Sequence, residues 1–105
     1  MEQPNLRYIE QLSAGEETFK QKLISIIKKE FPTEVQTYNS NLDAKKYSLA
    51  ADNVHKLKHK ISILGLEKSY KVAQDHENQL RDNNLDLKNA FNGILIIISN
   101  FLDTV

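Results

Sequence analysis

Apolar residues recur along the chain at intervals of three and four, which is the spacing that places side chains on one face of an α-helix. Leu6, Ile9 and Leu12 predict a short first helix near the N-terminus. A second helical segment should follow, and its apolar face is expected to comprise Phe19, Leu23, Ile26 and Ile27.

Residues that start or interrupt helices refine this prediction. Ser13 to Glu16 has the Ser-x-x-Glu spacing of a capping box and should begin the second helix. Pro32 either kinks one long helix or separates two stacked pieces, and the sequence leaves both arrangements open. Asp43 is a favourable N-cap for the next helix.

The clearest apolar pattern lies in the middle of the chain. Its members step by three and four and form a narrow seam, as in a helix that packs nearly parallel to its neighbours. They are Tyr47, Ala50, Val54, Leu57, Ile61 and Leu64. Gly65 should end this helix, because glycine readily takes the left-handed conformation that follows many helices.

Two more helices are expected in the C-terminal part. Residues 66–81 are helical in composition, and Asp82 to Asn84 should form a turn. The last stripe comprises Leu87, Phe91, Ile94, Ile98 and Phe101, and its spacing favours a helix over a strand at Ile94 to Ile98. The sequence therefore predicts one all-α domain over residues 1–105, an up-and-down antiparallel four-helix bundle with a short extra N-terminal helix.

Composition narrows the classes of function. Fourteen basic residues balance fourteen acidic ones, which argues against nucleic-acid binding, and cysteine is absent, so no thiolate can act as ligand or nucleophile. The longest apolar run, Ile94 to Ile98, is far shorter than a membrane span. We expect a cytoplasmic monomer without membrane contact. The initial Met and the complete set of helices favour a protein that stands alone.

Two histidines lie four residues apart in the central helix. On a helical wheel, His55 lies about 120° and His59 about 160° from the centre of the apolar seam, with Lys58 at about 60°. Both histidines should therefore face water, and His55 should have Ala51, Asp52 and Ser62 among its neighbours. Three interpretations remain. The histidines belong to a solvated charged surface, they bind a metal ion together, or one imidazole takes part in a chemical reaction.

Metal binding is the weaker of the two functional readings. A His-x3-His pair binds Zn²⁺ or Ni²⁺ weakly, whereas a structural zinc site needs four ligands. The neighbouring lysines would oppose a bound cation. We therefore expect no metal site on this chain. His76 is expected to be a packing histidine at a half-buried position.

The wider pattern around His55 resembles the motif of histidine-containing phosphotransfer (HPt) domains. That motif has an apolar residue, then His-x-Leu-Lys, and Leu-Gly about ten positions after the histidine. Here it is met by Val54, His55, Leu57, Lys58, Leu64 and Gly65. The family also places a Leu-Glu pair about three turns beyond that glycine, where this chain has His76 and Glu77.

The resemblance implies a phosphoryl carrier of a multistep phosphorelay. His55 would accept the phosphoryl group as a nucleophile, and the ammonium of Lys58 would offset charge on the phosphoryl oxygens. Ala51, Asp52, His59 and Ser62 would line the docking surface. The partners would be receiver domains of response regulators and a hybrid histidine kinase. The chain needs no cofactor in this reading, because Mg²⁺ belongs to the receiver domain.

This sequence departs from the family pattern in three places. His59 stands where the family usually has glycine, Lys60 where it has a small residue, and His76 where it has leucine. If the resemblance holds despite these departures, the chain is a phosphoryl carrier more than a classical enzyme. The alternative is a degenerate domain that docks a partner through the Lys-rich face, to which Lys56 and Lys60 belong, without carrying phosphate.

Overall fold

The computed structural model describes residues 2–105, and within that range every regular element is a helix. The five helices are α1 (Arg7–Ser13), α2 (Glu17–Asp43), α3 (Tyr47–Ile63), α4 (Glu67–Arg81) and α5 (Lys88–Leu102). The all-helical prediction is confirmed. None of these helices, in residues 2–105, is both long and apolar enough to cross a bilayer.

The long helix α2 sets the dimensions of the molecule. Its 27 residues correspond to about 40 Å of helix at the usual rise, close to the longest extent of 44 Å. The helix runs without interruption through Pro32, so the segment is a single helix and not two stacked pieces. Pro32 lies on the exposed side of α2. An exposed proline removes one backbone hydrogen bond without leaving a buried acceptor unpaired.

The core lies where the apolar stripes of the helices meet. Helix α3 packs against both α2 and α4, while α5 packs against α4 and α2. The predicted seam of α3 is confirmed from Ala50 onward, because Ala50, Val54, Leu57, Ile61 and Leu64 are all fully buried. Tyr47, its first member, is only half-buried against the core. Helix α3 is thus packed on two sides, and only its outer face is exposed.

The predicted apolar face of α2 is partly wrong. Ile27 is buried, but Phe19 and Ile26 are exposed. Neighbouring residues point about 100° apart around a helix, so Ile26 and Ile27 cannot both face the core. The buried stripe of α2 instead consists of Ile24, Ile27, Phe31, Tyr38 and Leu42.

Two predicted helix caps are also wrong. Ser13 ends α1, and its hydroxyl donates to the carbonyl of Ile9 at 2.6 Å, so it does not cap α2. Asp43 is the last residue of α2, and α3 starts only after Lys46. Three exposed positions therefore connect these two helices.

The predicted end of α3 is confirmed at Gly65, which has a φ of +77°. A Cβ atom built there would lie 2.6 Å from the Nδ2 atom of Asn5, so the position excludes larger residues on two grounds. The backbone N–H of Asn5 also donates to the carbonyl of Leu64 at 2.9 Å. The N-terminal segment is thereby tied to the end of α3.

Candidate functional site

His55 lies on the outer face of α3, as the helical wheel predicts. Its side chain is 56% exposed, whereas its neighbours Val54 and Leu57 are fully buried. Two packed helices hold α3, so the imidazole is presented to solvent from a fixed backbone. The ring is therefore accessible to a partner protein or to a dissolved ligand.

One nitrogen of His55 is engaged by a buried carboxylate from the next helix. His55 Nδ1 lies 3.3 Å from Oε2 and 3.4 Å from Oε1 of Glu77 on α4. When the imidazole is neutral and its proton is on Nδ1, that N–H can donate a hydrogen bond to this carboxylate. Nε2 then carries the lone pair, and it has no hydrogen-bond partner among residues 2–105.

Lys58 occupies a different position from the one expected for contact with a phosphoryl group. Its side chain is only 10% exposed, and its Nζ lies 2.9 Å from Oε1 of Glu77. The ammonium also lies 5.5 Å from the centre of the Tyr70 ring, within the range of a cation–π interaction. In this structure Lys58 thus neutralises the carboxylate that contacts His55.

Arg81 is a member of the site that the sequence analysis missed. Its guanidinium donates to Oε2 of Glu77 at 3.2 Å and to Oδ1 of Asp52 at 3.1 Å. Hydrogen bonds to Asp52 and Glu77 raise the pKa of Arg81. The spacing of four between Glu77 and Arg81 on one helix is the feature that could have revealed this pair.

Opposing effects set the charge of Glu77. Burial by itself would raise the pKa of its carboxyl group, but hydrogen bonds from Lys58 and Arg81 and the nearby charges of Lys58 and His55 outweigh it. The pKa of Glu77 therefore lies below its ordinary value of 4.5. Glu77 is a carboxylate at neutral pH, and it joins three side chains from α3 and α4.

The predicted docking residues do not all reach the surface. Asp52, His59 and Ser62 are exposed on the same side of α3 as His55, and the ring centres of His55 and His59 lie 5.5 Å apart. Ala51 is wrong as a docking residue, because it is fully buried. It packs in the core of the bundle, one turn from the outward-facing His55.

The lysines around His55 do not form one cationic face. Lys56 is exposed, but Lys60 is buried and its Nζ lies 3.1 Å from Glu30 and 2.9 Å from Glu34 on α2. Burial by itself would lower the pKa of Lys60. Its hydrogen bonds to the two carboxylates outweigh that effect, so the net shift of the pKa is upward. Lys60 therefore serves the contact between α2 and α3.

His76 is more deeply placed than expected. It is fully buried, its Nε2 lies 2.8 Å from the hydroxyl oxygen of Tyr38, and its ring packs on Phe91. Its Nδ1 has no hydrogen-bond partner among the described residues. Burial lowers the pKa of His76 from 6.5 to about 4, so the buried ring is neutral at pH 7. The ring packs in the core, as predicted, but only one of its two nitrogens has a hydrogen-bond partner among the described residues.

Comparison with known proteins identifies no relative of this chain. No family model matches the chain, and no curated protein and no solved structure matches it.

Proposed function

We propose that this chain is a histidine phosphotransfer protein that carries a phosphoryl group between receiver-domain aspartates in a multistep phosphorelay. His55 is the phospho-acceptor. The observation that carries the proposal is the asymmetry of its ring: Nδ1 contacts the buried Glu77 carboxylate, while the side chain is 56% exposed. An accessible, oriented imidazole on a rigid helix is what such a carrier requires.

The proposal includes the topology. Helices α2 to α5 form an up-and-down antiparallel four-helix bundle, and α1 is the short extra helix. The short connections between consecutive helices support this arrangement, as do the contacts of α5 with both α4 and α2. A bundle of this kind offers a convex surface on which a partner can bring its own phosphorylated aspartate to His55.

In the proposed reaction, Nε2 of His55 attacks the phosphorus of the aspartyl phosphate on the partner. The new N–P bond forms as the aspartyl O–P bond breaks, and the aspartate leaves as a carboxylate. The ring keeps its Nδ1 proton and becomes positively charged. Glu77 accepts the hydrogen bond from that proton and offsets the new charge, as a buried carboxylate does for a catalytic histidine.

Lys58 supports this reaction through Glu77 in the resting state. Its ammonium and the guanidinium of Arg81 together hold the carboxylate in place and keep it ionised. This makes Lys58 an electrostatic support, although its nearest partner in this structure is Glu77.

The surviving docking surface consists of Asp52, His59 and Ser62 around His55. The partners would be response-regulator receiver domains and a hybrid histidine kinase, with Mg²⁺ bound by the receiver. The alternative, docking through a Lys-rich face without phosphotransfer, is less favoured. Of its lysines, Lys58 and Lys60 are buried in ion pairs and only Lys56 is exposed.

The test is transfer of labelled phosphate. The protein is incubated with phosphorylated receiver domains, and the label it takes up should be acid-labile and alkali-stable, as expected for phosphohistidine. His55→Gln should abolish the label. His59→Gln, which leaves the neighbouring histidine intact, should still become labelled at His55. Absence of label from a panel of receivers would contradict the proposal, and label on His55→Gln would contradict the site.

A further inference from the structure

The two exposed histidines of α3 form a close pair. His55 and His59 lie one helical turn apart, and their ring centres are separated by 5.5 Å with an angle of 71° between the planes. Both side chains are exposed, so small rotamer changes can turn a nitrogen of each ring toward one point. Two imidazoles at this spacing can bind one ion, at about 2.0–2.1 Å per nitrogen for Zn²⁺.

One ring of the pair already has the support typical of a metal ligand. A histidine that binds a metal through one nitrogen usually donates its other N–H to a carboxylate, which fixes the ring orientation and raises its basicity. His55 Nδ1 lies 3.3 Å from the Glu77 carboxylate. Nε2 is therefore the nitrogen available to an ion.

The charges around the two histidines repel a bound cation less than the sequence indicates. Lys58 is neutralised by Glu77 at 2.9 Å, and Lys60 is buried against acidic residues of α2. Of the three lysines between positions 56 and 60, only Lys56 is exposed. Asp52, one turn before His55 on the same face, adds an exposed carboxylate that is held only by a surface contact with Arg81.

We propose that His55 and His59 form a two-imidazole binding site for Zn²⁺. Water completes the coordination, so binding is reversible and weaker than at a structural zinc site, which needs four protein ligands. Within residues 2–105, no third His, Cys, Asp or Glu side chain joins this pair in a group that could hold a metal, so the protein supplies only two ligands.

The site has a regulatory consequence that rests on the proposed phosphotransfer function. Zn²⁺ and the phosphoryl group need the same atom, Nε2 of His55. Bound metal therefore blocks phosphorylation, and a phosphorylated protein does not bind the metal in this way. His59, which stands where the resembling family usually has glycine, makes this competition possible in this chain.

Zinc binding can be measured without any phosphoryl donor. Protein without an affinity tag is titrated with ZnCl₂ by calorimetry in a buffer that does not bind metals. Wild type should bind one ion, and His55→Gln or His59→Gln should each weaken binding by more than about tenfold, because one of two ligands is lost. Lys56→Gln, an exposed substitution between the two histidines, should bind at least as well as wild type.

A second readout separates ligands from general surface effects. Histidine ring resonances of positions 55 and 59 should shift on addition of ZnCl₂, while those of the buried His76 should not. Absence of 1:1 binding up to millimolar ZnCl₂ would overturn the proposal, and so would equal affinity of His59→Gln and wild type. If zinc binds but no receiver labels His55, the metal site stands and the phosphotransfer proposal fails. The reverse result leaves phosphotransfer intact and rejects the metal site.

Discussion

His55 Nδ1 and Glu77 Oε2 lie 3.3 Å apart, although 22 residues separate them in the chain and they belong to different helices. The packing of α4 against α3 creates this contact and gives the two ring nitrogens different surroundings. Glu77 in turn is held by Lys58 and Arg81. Replacing any of these side chains should therefore change the hydrogen bonding and the electrostatic environment of the imidazole.

Replacing Glu77 by glutamine should slow phosphotransfer without abolishing it. The amide oxygen can still accept a hydrogen bond from Nδ1, but it no longer offsets the positive charge that forms when Nε2 is phosphorylated. We expect the initial rate of labelling by a phosphorylated receiver to fall by about tenfold or more. Circular dichroism of the same samples checks that the fold is retained. An unchanged rate would show that the carboxylate plays no part.

The Lys58–Glu77 ion pair should contribute to stability. Glu77→Gln leaves the nearly buried ammonium of Lys58 without its anionic partner, which should cost about 1–3 kcal/mol of the free energy of unfolding. Lys58→Met should cost less, because Glu77 keeps Arg81 as a partner. Urea unfolding of both single variants and the double variant measures the coupling. Simple additivity of the two effects would mean that the pair is not stabilising.

Stability should decrease as the solution is acidified from about pH 6.5. His76 has a pKa of about 4 in the folded protein against 6.5 ordinarily, so the unfolded chain binds more protons between these values. The contribution of neutral His76 is fully present above pH 6.5 and is lost as the pH falls toward 4. Between about pH 6.5 and pH 5 we expect a loss of about 2 kcal/mol, measured by urea unfolding.

A paired replacement tests whether His76 causes this pH dependence. Tyr38→Phe combined with His76→Leu removes the titrating ring and the hydroxyl that would otherwise lose its partner. The pH dependence between 6.5 and 5 should become flatter in this double variant. Carboxylates such as Glu77, whose pKa is lowered, lose their stabilising effect only at more acidic pH. An unchanged slope would assign the effect to other groups.

Gly65 and Gly93 should respond in opposite directions to alanine. At Gly65 the φ of +77° strains any L-residue, and the new Cβ atom would meet Asn5, so Gly65→Ala should cost about 1–3 kcal/mol. Gly93 lies inside α5 with open space around the added Cβ, so Gly93→Ala should stabilise by about 0.5–1 kcal/mol. Thermal unfolding of both variants checks the contrast. A stable Gly65→Ala would contradict the proposed strain.

The helices were largely predictable because they depend on local spacing. The buried seam of α3, the exposure of His55 and the end at Gly65 all follow from a repeat of 3.6 residues and from the backbone freedom of glycine. Phe19 and Ala51 show the limit of this reasoning. Whether an apolar residue near the edge of a stripe is buried depends on where the neighbouring helix packs. The spacing of apolar residues along one helix carries no information about that position.

The chemistry of the site depends on contacts between helices. The chain alone placed His55 and His59 on one outer face, since both lie within α3. Only the packing of α4 on α3 brought Glu77 to His55 and Arg81 to Asp52, with Lys58 buried beside Glu77. Lys60 is likewise buried only because it pairs with carboxylates of α2. Charges interact over a few ångströms in space, whereas sequence patterns report neighbours along one helix, so the tertiary structure decided which nitrogen and which cations remain available.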